Sequence, residues 1–138
     1  MGDAFSSVNL NGLDAFAVDV RRVDKPWGHE LIWALTDAYC GKVLFVRAGE
    51  SLSLHFHREK DESWYVLDGR AMLELGAAGQ TMLDSEIVAA GSAFRFVPGT
   101  VHRVRALEDT RILEVSTPQI DDVVRLEDAY GRQGTSAA

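Results

Sequence analysis

Between residues 15 and 116 the chain is a series of short, apolar-rich runs of β type, a few of which, such as SLSLHFH at 51–57, alternate apolar and polar positions. Gly, Pro, Asp and Asn separate the runs. The runs cover residues 15–23, 30–34, 42–47, 51–57, 63–67, 71–75, 87–89, 93–97, 101–106 and 111–116. Runs of this length and composition between turn residues read as β-strands, on which alternate side chains point to opposite faces. The turn signals between them include KPWG at 25–28, Asp68-Gly69, Ala90-Gly91 and Pro98-Gly99. Many short strands at close spacing predict an all-β barrel or sandwich. The acidic stretch 121–130 is the best helix candidate, although Val124 and Leu126 suit an extended edge equally well. Residues 1–16 are expected to be a flexible segment, 17–132 the single domain, and 133–138 a frayed tail.

Composition narrows the functional classes. The chain has 138 residues, 46% hydrophobic and 25% charged, enough for one core. With 14 basic and 21 acidic residues, its net charge of −7 argues against nucleic acid as a partner. A small anionic substrate remains compatible, because a pocket can be basic inside an acidic envelope. Cys40 is the single cysteine, so no intramolecular disulfide can form. A small buried thiol in a reducing cytoplasm is expected. The N-terminal stretch has no signal-peptide pattern, and no apolar segment approaches the roughly 20 residues of a membrane helix. A cytoplasmic protein without membrane contact is expected.

Three of the four histidines carry the chemistry. His55 and His57 stand two apart on one run and project to one face, Glu62 follows five residues later, and His102 comes just after Pro98-Gly99. Glu62 is expected to open the return strand of a hairpin and to face the histidine pair across that ladder. Three imidazoles and a carboxylate can hold a divalent transition metal, Zn, Mn, Fe or Ni, and leave one or two positions open.

Those residues carry a family resemblance. Gly49, His55, His57, Glu62 and Gly69 match the first motif of the cupin superfamily position for position, and Gly91, Gly99 and His102 meet the second. In that second motif Val97 stands in the proline position, with Pro98 one residue later, and Ala106 in the asparagine position. The resemblance implies a jelly-roll β-barrel. A closer one rests on KPWG at 25–28, SLSLHFH at 51–57, ESW at 62–64, PGTVHR at 98–103 and DDVVRLEDAYGR at 121–132. Together these resemble the cupin domain of type II phosphomannose isomerases, often fused to a mannose-1-phosphate guanylyltransferase. The fused enzymes usually carry glutamine where this chain has His55. The chain is therefore expected to be a freestanding cupin, metal-dependent and acting on a sugar phosphate as an aldose–ketose isomerase. Another metalloenzyme such as a dioxygenase, or a non-catalytic sugar-binding module, would fit the same scaffold.

Isomerisation needs a proton shuttle, for which Lys42, Lys60 and Tyr65 are the candidates. A substrate phosphate would want arginines at the barrel mouth, and Arg47, Arg58, Arg95 and Arg103 lie near the motifs. Trp64 shares the parity of Glu62 and could wall a sugar ring, although core packing is the expected role of Trp27, Trp33 and Trp64 alike. Arg125 and Tyr130 belong to the C-terminal signature and could dock the tail or touch substrate. His29 is expected at the surface or behind the ligands, and Glu59 and Asp61 in a solvated turn with Lys60 between them. Exposed sheet edges and apolar faces predict a homodimer, which the resemblance also implies.

Overall fold

The computed structural model describes residues 17–80, 82–132 and 134–135. Burial alternates along the strands. In β5 (Glu62–Asp68), Glu62, Trp64 and Val66 are buried while Tyr65 and Leu67 are exposed. In β10 (Thr110–Ser116), Thr110, Ile112, Glu114 and Ser116 point inward. One antiparallel sheet runs in the order β1 (Arg21–Lys25), β2 (Gly28–Leu35), β3 (Cys40–Val46), β10, β5 and β8 (Ala93–Phe96). The other runs β12 (Gly134–Thr135), β11 (Val124–Glu127), β4 (Leu54–Phe56), β9 (Thr100–Ala106), β6 (Arg70–Ala77) and β7 (Asp84–Ala89). From β3 to β6, and again from β7 to β11, each strand lies in the opposite sheet from the one before it. The result is the expected all-β jelly roll, with Leu44, Trp64, Val66, Leu73, Phe96, Val104 and Ile112 packed between the sheets. No helix occurs among the described residues, and none is long and apolar enough to cross a membrane.

Two turns set the site. KPWG closes the β1–β2 hairpin, and a Cβ on Gly28 would lie 1.9 Å from the Phe45 carbonyl oxygen, so only glycine permits this approach. The turn is held from β3's end, where Arg47 donates from its backbone to the Trp27 carbonyl (3.0 Å) and from its side chain to that of Pro26 (2.8 Å). Ahead of β9, Thr100 donates to the Val97 carbonyl (3.1 Å), and Gly99 has φ of +88°. That is a type II turn with proline at its second and glycine at its third position. The proline shifted to position 98 therefore sits where its fixed φ is useful. Gly99 also donates to the His57 carbonyl at 2.8 Å, tying the second motif to the first.

Some expectations need correction. Residues 121–130 are not helical: a turn leads into β11, which pairs with β4. The strand expected over 51–57 shrinks to β4, preceded by an isolated bridge from Ser51 to Arg105. Trp33 is 40% exposed, because its parity places the ring on the outer face over Gly41 rather than in the core. Glu62 does not face the histidines across a hairpin ladder. β4 and β5 lie in different sheets, so its carboxylate reaches across the interior. Cys40 is buried as expected, and burial pushes its thiol up. The segment 1–16 lies outside the described residues, and of the tail only 134–135 is described, paired with β11.

Candidate metal centre

His55 on β4 is the register partner of His102 on β9, which sets their rings 4.4 Å apart. His57 follows β4 directly, and the chain then crosses to the other sheet. Asp122 holds that crossing: its carboxylate accepts the backbone N–H groups of Arg58 (3.1 Å), Glu59 (2.6 Å) and Lys60 (3.0 Å). Glu62 arrives from the opposite side. His55, His57, Glu62 and His102 are all buried and present ligand atoms within 4.8 Å of one another, a set that could hold a metal ion.

Each imidazole is oriented by a backbone carbonyl. Nδ1 faces the carbonyl of Ser53 in His55 (2.8 Å), of Asp122 in His57, and of Thr100 in His102 (2.9 Å). A carbonyl can only accept, so Nδ1 carries a proton, and in the neutral ring Nε2 then presents a lone pair to the interior. The ring of His102 is further fixed by stacking on Phe96 (4.0 Å between centroids, 5° apart) and by the edge of Trp64 (5.7 Å). Nε2 of His102 and of His57 lie 2.9 and 3.4 Å from Glu62 Oε1. All three atoms are buried without a hydrogen-bond partner. Acceptors facing acceptors in a dry interior repel, and a cation between them removes the conflict. The donor set, three imidazoles and one carboxylate, fits a divalent transition metal.

Electrostatics agree. Burial, followed by the neighbouring rings of His102 and His57, holds His55 well below the usual imidazole range, so it is neutral and ready to ligate. Burial alone would raise the Glu62 carboxyl, and the Lys60 ammonium 3.3 Å from its other oxygen opposes that.

Behind the cluster runs a row of buried charges. Lys60 Nζ lies 3.3 Å from Glu62 Oε2 and 3.0 Å from Glu114 Oε2, and Trp64 donates from Nε1 to Glu114 at 3.1 Å. Lys42 Nζ meets Glu30 at 3.3 Å, with Lys25 at 3.9 Å. Burial opposes the Lys60 charge, yet Glu114 and Glu62 outweigh it and raise its pKa. Burial and the charge of Glu62 raise the Glu114 carboxyl. Buried ion pairs contribute little stability against a hydrophobic alternative, often less by about 1–4 kcal/mol. Such a row beside a cavity therefore points to function.

While His102 is fully buried, the buried charges, with His55, His57 and Glu62, line one solvent-open cavity. Its wall carries five cations, Lys25, Lys42, Lys60, Arg125 and Arg132, against the carboxylates of Glu30, Glu62 and Glu114. Of the sequence candidates, Lys42, Lys60 and Trp64 face it. The others do not. Tyr65 lies on the outer face of β5, 46% exposed. Arg47 holds the KPWG turn, Arg58 is exposed, and Arg95 pairs with Asp61 at 2.6 Å on the surface. Arg103 pairs with Glu74 (2.8 Å) and Glu127 (3.0 Å) outside the barrel. His29 stacks on Phe45, away from the ligands. Lys60 is buried rather than solvated, while Glu59 beside it is exposed. Sequence reasoning missed Glu30, Glu114, Lys25 and Arg132. Parity gives little signal for Glu30 and Glu114, since the opposite faces of their strands, Leu31 with Trp33 and Leu113 with Val115, are at least as apolar.

Residues 42–116, more than half of the chain, match the family model described as the cupin domain. The protein belongs to the cupin family. It is 30% identical over 118 residues to the xanthan biosynthesis protein XanB of Xanthomonas campestris pv. campestris, covering 81% of this chain and 24% of XanB. With the mannose-1-phosphate guanylyltransferase ManC of Salmonella typhimurium it shares 29% identity, covering 81% of this chain and 23% of that protein. The chain thus spans about a quarter of the length of these curated relatives. Among solved structures, KdgF from Halomonas sp. superposes with a TM-score of 0.63 at 26% identity, over 76% of this chain and 90% of that one.

The buried neutral His55 gives a pH signature in chelated protein. Its folded pKa lies below the ordinary 6.5. Below that pH the unfolded state binds more protons, and stability falls as pH drops. The slope is at most about 1.4 kcal/mol per pH unit for this one group. Glu114 acts in the opposite sense, so the reference is His55→Gln. Urea unfolding at pH 7.5 and 5.5 should show a larger loss in the wild type than in the variant. Equal losses would contradict the assignment.

Proposed function

We propose that this cupin is a metal-dependent aldose–ketose isomerase of a phosphorylated hexose, interconverting mannose 6-phosphate and fructose 6-phosphate in the cytoplasm. The observation that carries the reading is the single cavity wall on which the ligand cluster, a buried carboxyl–ammonium row and an excess of cations meet. Likeness to a relative named for mannose 1-phosphate supports the substrate class. A divalent ion (Zn, Mn, Fe or Ni) held by His55, His57, Glu62 and His102 would supply Lewis-acid stabilisation of charge developing on the sugar oxygens.

The chain's own residues handle the proton. Glu114, a carboxyl raised by burial and by Glu62, can both take and return a proton at its carboxylate oxygen. Lys60 keeps its charge between two carboxylates and so positions Glu114 rather than acting as a base. Trp64 fixes the other oxygen of Glu114. In a coupled assay the metal-loaded protein should interconvert the two hexose phosphates. Glu114→Gln should lower kcat by roughly 10²- to 10⁴-fold with the fold intact. No interconversion by a folded, metal-loaded wild type would refute the isomerase, and tight sugar-phosphate binding without turnover would favour a non-catalytic sugar-binding module.

We infer also that two copies pair through the outer face of the first sheet. Register aligns Leu31, Val43, Leu113 and Tyr65 across four strands, and Trp33 and Val115 extend this apolar face outward. Light scattering after size exclusion should give twice 15.2 kDa, and Tyr65→Lys should give the monomer mass. A wild-type monomer would contradict the pairing.

A further inference from the structure

Two segments that stand out in the sequence, KPWG and the stretch 121–132, come from opposite ends of the domain and meet at the cavity. KPWG brings Lys25, and the C-terminal segment brings Arg125 and Arg132. β11 pairs with β4, and the register partner of Arg125 is His55, so Arg125 stands beside the ligand cluster. Arg132 is set by Asp128, which accepts from its backbone N–H (2.6 Å), Nε (3.0 Å) and Nη2 (3.0 Å). The turn carrying Arg132 is itself anchored, because Tyr130 donates from its hydroxyl to Glu50 and accepts from the backbone of Ser51 (3.4 Å). Lys42 completes the group through Glu30, the carboxylate it shares with Lys25.

These four cations lie near enough to one another on the wall to repel. Burial lowers the Lys25 ammonium, and Lys42, Arg132 and Arg125 lower it further against the pull of Glu30. Burial and Arg132 act alike on Arg125. Gathering like charges at a half-dry cavity wall costs stability, and a bound dianion would reverse the sign of that cost.

We propose that Lys25, Arg125 and Arg132, with Lys42 behind them, form a subsite for a phosphomonoester dianion beside the metal cluster, where the phosphate of a sugar substrate would dock. Planar guanidinium groups present paired N–H donors that suit phosphate oxygens, and the two lysines add point charges beside them. The subsite rests on the sugar-phosphate reading but is separable from turnover.

Calorimetric titration of the full chain with inorganic phosphate, mannose 6-phosphate, mannose and a hexuronate, with and without chelator, tests it. Phosphate and mannose 6-phosphate should bind, phosphate binding should survive chelation, and mannose and the hexuronate should bind far more weakly. Arg132→Gln and Lys25→Gln should each weaken phosphate binding about 10- to 100-fold. Lys25→Gln serves if Arg132→Gln unfolds. Unchanged phosphate affinity in the folded variants, binding that vanishes on chelation, or a preference for the hexuronate would each overturn the subsite. Phosphate binding lost in the variants, in a wild type that never isomerises, would leave the subsite standing and remove the isomerase.

Discussion

Two imidazole lone pairs and a carboxylate oxygen are aimed at one another in a dry interior, with a third imidazole against them. Nε2 of His102 lies 2.9 Å from Glu62 Oε1, and backbone carbonyls hold the Nδ1 protons on the far side of each ring. Among the described residues no hydrogen-bond partner reaches Nε2 of His57, Nε2 of His102 or Glu62 Oε1. A fold that only needed stability would place apolar groups there, so the cluster makes sense as the protein's half of an ionic interaction. Much of the surrounding structure serves to hold it: the stacking of Phe96, the type II turn before β9, and the Asp122 carboxylate that collects three N–H groups of the crossing chain.

The jelly roll supplies the geometry. Because consecutive strands change sheet, the first motif is split between the sheets, with histidines on one and Glu62 on the other. His102 joins His55 by register. The same crossing directs Lys60 inward to Glu62 and Glu114, so the histidine–glutamate cluster and the buried charges share a wall. The C-terminal strand β11 then closes the cavity beside β4, with Arg125 next to His55.

The histidine spacing, the inward parity of Glu62 and Trp64, and the turns were all legible in the sequence, because each is a local property of a strand or loop. Which sheet receives Glu62 was not, since pairing between distant strands decides it. The arginines show the same division. Arg95 precedes inward Phe96 and Arg103 follows inward His102, so parity turns both outward despite their closeness to the motif. Lys25 and Arg132 are far from the motif in sequence and reach it only through hairpin closure and the docking of Tyr130.

The central claim is that this cluster holds one divalent ion. Elemental analysis of protein purified without added metal, together with its Glu62→Gln and His57→Ala variants, tests it most directly. The account predicts about one transition-metal ion per chain in the wild type and a marked loss in both folded variants. A metal-free wild type that also takes up no Zn, Mn, Fe or Ni on dialysis would contradict it.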